Sequence, residues 1–157
     1  MDATKIAIKI ISKNIYLSLA TSDGKVTWNA PLYYVYDKDL NFYFVSSKDS
    51  LHAKHIKKNT YVAATIFNSQ EIPEKVNGVQ FDALCGIVSI KELPKVIKLI
   101  YSKKPSDLLK ERFEDYKNPL SYIRLTNFRI FKITPIHFYI LDPSVTMEDK
   151  RIEVRMR

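Results

Sequence analysis

NFYFVSSKDSLHAKHI, residues 41–56, carries the most information in this chain. It alternates as a strand into Ser46 and Ser47, passes Lys48, Asp49 and Ser50, and continues with helical spacing through Leu51, His52, His55 and Ile56. A strand that hands over to a helix through so much hydroxyl and positive charge has two readings. One is a capped helix after a solvated turn, with Ser47 or Asp49 as the cap. The other is a phosphate site, because a helix starting near Ser50 offers unpaired N–H groups and the positive end of its dipole.

The surrounding sequence reads as one β-rich domain. At 157 residues and 46% hydrophobic content the chain can bury a real core, and its ten Tyr and eight Phe suit sheets. Residues 2–14 have helical spacing, with Ile6, Ala7, Ile10 and Ile11 on one face. YLSLATSDGKVTWNAPLYYVYD is a hairpin turning at Asp23-Gly24, and Pro31 marks its second arm as bulged or at an edge. Lys38-Asp39 is the next turn. Strands follow at 40–46, 61–67 and 79–90, and helices at 47–58, 92–103 and 106–115. Tyr122–Ile133 and Ile136–Leu141 read as closing strands separated by Pro135. Residues 1–143 form the expected domain and 144–157 a polar, peripheral tail. Six or seven mostly hairpin-linked strands with flanking helices predict a mainly β, antiparallel, closed or nearly closed small barrel.

Several function classes are excluded or weakened. Three glycines, at 24, 78 and 86, leave no G-x-G-x-x-G fingerprint and no Walker-type loop. Cys85 is alone, so there is no intramolecular disulfide and no thiolate zinc cluster, and in its apolar strand it reads as an inert core thiol. No apolar run approaches the roughly 20 residues that span a bilayer. The opening MDATKIAIKIISKN interleaves lysines where a signal core would be apolar, so the expected setting is the reducing cytoplasm. A net charge of +8 favours an anionic partner. The basic residues are scattered, and the aromatic strands are needed for a core, which weighs against nucleic acid. His52 and His55, with His137 remote, lack a third ligand, so no metal site is expected. No Ser-His-Asp arrangement or carboxylate pair stands out, and no catalytic residue is assigned.

YLSLATSDGKVTWNAPLYYVYD, LNFYFVSSKDSLHAKHIKKNTYVAATIF, GVQFDALCGIVSI and the closing FRIFKITPIHFYILD together resemble the FMN-binding split barrels related to pyridoxamine 5′-phosphate oxidase. GVQF downstream of SLHAKHI is similar to the YhbP-like branch. The resemblance covers about residues 15–141. It implies a split barrel and a homodimer with FMN at the subunit interface. It further implies a flavin-dependent oxidoreductase of undefined substrate, served by NAD(P)H or a small molecule. Fold analogy does not fix the reaction, and the competing reading is a binding or stress-related protein whose pocket is empty or takes haem or a deazaflavin.

By position in the family pattern, Ser46 and Ser50 match hydroxyl residues that contact the FMN phosphate, with Ser47 and Lys48 assisting from the same turn. His52 stands where relatives commonly carry lysine. A nearby phosphate should favour its imidazolium, and Lys54 would add charge from an adjacent helical face. Asn29, Ala30 and Pro31 fall on the strand beside the flavin ring. Gln80 is placed to meet the flavin's pyrimidine edge or phosphate side, or else to join a dimer network. Trp28 reads as core or dimer packing rather than a ring stack.

Overall fold

A computed structural model describes residues 2–72, 77–103, 119–144 and 150–156. The chain opens with α1 (Ala3–Lys13), capped by Asp2, whose carboxylate accepts the Thr4 N–H. It continues through β1 (Tyr16–Ser22), β2 (Thr27–Tyr33), β3 (Val35–Tyr36) and β4 (Phe42–Ser47). Next come α2 (Leu51–Lys58), β5 (Tyr61–Phe67), β6 (Gly78–Ile87) and α3 (Leu93–Ser102). The chain closes with α4 (Pro119–Leu125), β7 (Phe128–Leu141) and β8 (Arg151–Val154).

Every strand pairing is antiparallel, in the order β2-β1-β5-β6-β7-β4-β3, with β8 added to the far half of β7. β2 and β3 end this path, yet only Tyr34 separates them in sequence. One residue cannot span a flat sheet of that width, so the sheet must curl until its edges nearly meet. Tyr34 staples the seam: its N–H donates to the Ile15 carbonyl at 3.1 Å and its hydroxyl to the Ile11 carbonyl at 2.7 Å. The expected split, nearly closed barrel is therefore present.

Inward residues fill the barrel, where Phe42 stacks on Phe81 at 4.9 Å and Phe44 on Phe131 at 5.0 Å. Ala7 and Ile11 of α1 are fully buried against the same core. A second cluster lies outside the barrel wall, where Val35, Tyr43 and Ile130 meet Val96 and Ile100 of α3 and Ile123 of α4. β4 and β7 are thus buried on both faces, which explains the near-continuous apolar run of FYFV. Cys85 lies in the main core, where burial pushes its thiol up to about 12, as an inert thiol requires.

Four expectations change. Residues 122–125, expected as strand, belong to the helix Pro119–Leu125: Pro119 suits a first helical turn, and Ile123 reaches the α3 cluster. β7 runs unbroken through Pro135, because the sheet absorbs the proline at a register shift between Asp82 and Ala83. There the Asp82 carboxylate accepts the His137 N–H at 3.1 Å, covering the donor that the irregular ladder releases. Past Asp142 the chain returns as β8, and Val154 is buried in the barrel core rather than peripheral. Of the two packing roles expected for Trp28, core or dimer, its 47% exposure removes the core one. The helix expected at 106–115 lies outside the described residues.

Candidate functional site

β4 delivers Ser46 to the end of the barrel on the same face as Phe42 and Phe44, and the chain then turns through Ser47–Ser50 into α2. Ser50, not Ser47 or Asp49, is the cap: its backbone is extended and its Oγ accepts the Ala53 N–H. Ser47 shapes the turn, with its Oγ accepting the Asp49 N–H at 3.1 Å and its carbonyl accepting the Ser50 hydroxyl at 2.8 Å.

His52 Nε2 lies 2.7 Å from Ser46 Oγ and 3.0 Å from Ser50 Oγ. Since Ser50 gives its hydrogen to the Ser47 carbonyl and accepts from the Ala53 N–H, an Nε2–H donor on His52 directed at the nearer Ser46 oxygen leaves the Ser46 hydrogen for a ligand. The N–H groups of Leu51 and His52 also find no acceptor among the described residues. One hydroxyl, held in place by the imidazole, and two helix-terminal N–H groups suit a phosphate. The donor set fits; the charge is smaller than the sequence suggested. His52 is 8% exposed, and burial, then the neighbouring His55, lower its imidazole below the ordinary value, so it is neutral at pH 7. Lys48 and Lys54 are exposed, with Lys54 on the solvent side of α2. His55 faces the barrel, 3.2 Å from Thr21 Oγ1 through Nδ1. No cluster of metal-ligating side chains occurs among the described residues.

The other sequence-nominated residues divide. α2 packs against β1 and β2, so the strand bearing Asn29, Ala30 and Pro31 is the corner's neighbour. Ala30 is buried, while Asn29 and Pro31 are exposed, and Asn29 Oδ1 accepts the Ser18 hydroxyl at 2.6 Å. β2 ends the sheet path, with β1 its one strand partner among the described residues, so alternate backbone groups along Thr27–Tyr33 point away from the ladder. Gln80 is not brought to the corner within this chain. It sits opposite Tyr139, ten residues along β7 from the partner of Ser46, and its Oε1 accepts from Arg151 Nε at 2.8 Å.

Sequence reading missed that partner. Arg129 is directly opposite Ser46 across the β4–β7 ladder, and its Nη1 donates to the carbonyls of Ile123, Thr126 and Phe128 at 2.7–2.8 Å. No local pattern could have exposed this, because the pairing depends on the register of strands more than 80 residues apart.

No family model matches the chain. A UPF0306 protein of Pasteurella multocida is 25% identical over 124 residues, 78% of this chain and 83% of that protein. Among solved structures, a candidate pyridoxamine 5′-phosphate oxidase from Listeria innocua superposes with a TM-score of 0.67 at 16% identity, covering 89% of this chain and 98% of that one. The haem storage protein HutZ of Vibrio cholerae gives 0.63 at 20% identity, covering 87% and 92%. The fold is that of the pyridoxamine 5′-phosphate oxidase-like split barrels. Solved members of this fold have been described with flavin and with haem, so the shared architecture leaves the ligand to the site. No described helix is long and apolar enough to cross a membrane.

Proposed function

We propose that this chain is an FMN-binding protein of the YhbP-like branch, acting in the cytoplasm as a flavin-dependent oxidoreductase. The carrying observation is the convergence of Ser46, Ser50 and His52 at the head of α2, within 3.4 Å of one another. Ser46 and the free N–H groups of α2 would hold the phosphate, with the His52 ring orienting the Ser46 hydroxyl, Ser50 holding His52 and Ser47 shaping the turn. Lys54 would contribute long-range charge. The open edge of β2 at Asn29, Ala30 and Pro31 would offer backbone groups to the ring. Bound flavin would supply the electron transfer, with NAD(P)H or a small molecule as its partner in exchange.

The reading includes a homodimer. The slot between Tyr16, Tyr33 and Val45 at the barrel seam holds about 160 Å³, below the roughly 300 Å³ at which cofactor pockets begin. A second copy would enlarge it, and outward Tyr16, Tyr61, Phe67 and Leu84, each more than 40% exposed, provide apolar surface for one. Gln80 could then serve the partner's cofactor.

A second reading has its own support. Neutral His52 in place of lysine lowers the attraction for a dianion, as in a binding protein whose pocket takes haem or a deazaflavin, or a stress-related protein without catalysis.

FMN titration of the purified chain, followed by absorbance and fluorescence at pH 6 and pH 8, tests these readings. Saturation at one FMN per subunit, weakened roughly ten- to a hundredfold by Ser46→Ala, is the expected result. Absence of binding at both pH values would overturn the FMN assignment in favour of the second reading.

A further inference from the structure

We infer that a second anion site, separate from the serine corner, lies between α3 and the β3–β4 turn, and that it takes a nucleotide carrying two or more phosphates. A cleft of about 510 Å³ runs between these elements, with Lys38, Lys95, Lys98 and Lys103 around it and Tyr36 and Leu99 at its floor. That volume is in the range of small-molecule sites. α3 turns Leu93, Val96 and Ile100 into the outer cluster, which leaves Lys95 and Lys98 on its solvent side.

Among the described residues no carboxylate pairs with the lysines of the cleft. Asp37, the one carboxylate among the described lining residues, is turned inward and satisfied by Asn41, Tyr43 and the Asp39 N–H at 2.9–3.0 Å. Burial opposes ionisation of Asp37, but the hydrogen bonds from Asn41 and Tyr43 outweigh it and hold the carboxyl below its ordinary range. The C-terminal dipole of α3 accounts for a cation at Lys103. It does not account for Lys38, which arrives from a different element, or for Lys95 in the first turn of α3. Lysine ammoniums serve phosphates as point charges. Tyr36, whose ring packs toward the barrel core under Lys103 Nζ at 4.9 Å, and Leu99 are both half-buried and give the cleft apolar surface beside the ammoniums on which a base can rest.

The site is independent of the proposed flavin function. Calorimetric titration of the full chain with ADP, pyrophosphate and adenosine at 50 mM salt tests it, using wild type, K95E/K98E and S46A/S50A. Saturable ADP binding, tighter than either fragment, weakened at least tenfold in K95E/K98E and unchanged in S46A/S50A, is expected. An unchanged melting temperature would show that K95E/K98E is folded. FMN binding retained by K95E/K98E would separate the two sites. No saturable ADP binding, pyrophosphate binding as tight as ADP, or an oligothymidylate binding more tightly than ADP would each overturn the assignment. The last result would mark the cleft as part of a nucleic-acid surface.

Discussion

The serine corner and the lysine cleft are both suited to anions, by opposite physics. At the corner the donors are neutral and partly buried: Ser46, held by His52, and two helix N–H groups, whose directions are set by a strand end and a capped helix. At the cleft the groups are charged, exposed and borne on flexible stems. Buried directional hydrogen bonds lose little to salt, whereas exposed ammoniums are screened within about 10 Å at 0.1 M ionic strength. The corner therefore favours geometry and the cleft favours charge.

The sharpest way to break this comparison is at the corner itself. Ser46→Ala removes a hydrogen bond to a charged phosphate, worth about 1.5–3 kcal/mol, and FMN affinity should fall roughly ten- to a hundredfold in a fluorescence titration. Unchanged affinity would place the phosphate elsewhere. Salt provides the next contrast: from 50 to 500 mM, ADP binding at the cleft should weaken several-fold more than FMN binding at the corner, as measured by calorimetry. Equal losses would make both sites merely electrostatic.

Ser50→Ala should cost about 1 kcal/mol of stability through the lost helix cap, read from denaturant midpoints. The smallest effect is that of pH. His52 has a lowered pKa in the fold, so below about pH 6.5 the unfolded chain takes up a proton that the folded chain refuses. Its contribution to stability is therefore full above pH 6.5 and declines as pH falls toward the folded pKa. His52→Gln should flatten that decline in melting temperatures between pH 7.5 and 5. A bound phosphate favours the imidazolium, so FMN should bind more tightly as pH falls. Because burial lowers the starting pKa, most of that gain should come below pH 6.5.

Much of the corner was legible because it is local. Ser46 to His52 span seven consecutive residues, and the change from strand to helix spacing put them in one turn. The cap was misplaced within that turn because Ser47, Asp49 and Ser50 are all competent cap residues; backbone conformation selects Ser50. The cleft was not legible, because Lys38 and Lys95 come from segments more than 50 residues apart that meet only when α3 packs on β3.

The sequence by itself determined most of the elements and the barrel class: alternation in β1, β5 and β6, helical spacing in α1 and α2, and the Asp23-Gly24 turn are local patterns with one reading each. Tertiary structure decided what these patterns join. It carried β7 through Pro135, since the pairing with β6 tolerates a bulge there, and it made a helix of 119–125, whose Ile123 had an outer core to enter. It returned β8 to the barrel to bury Val154, and placed Arg129 opposite Ser46. Each of those outcomes depends on register and burial between distant segments, and side-chain spacing along one segment cannot encode which segment it will face.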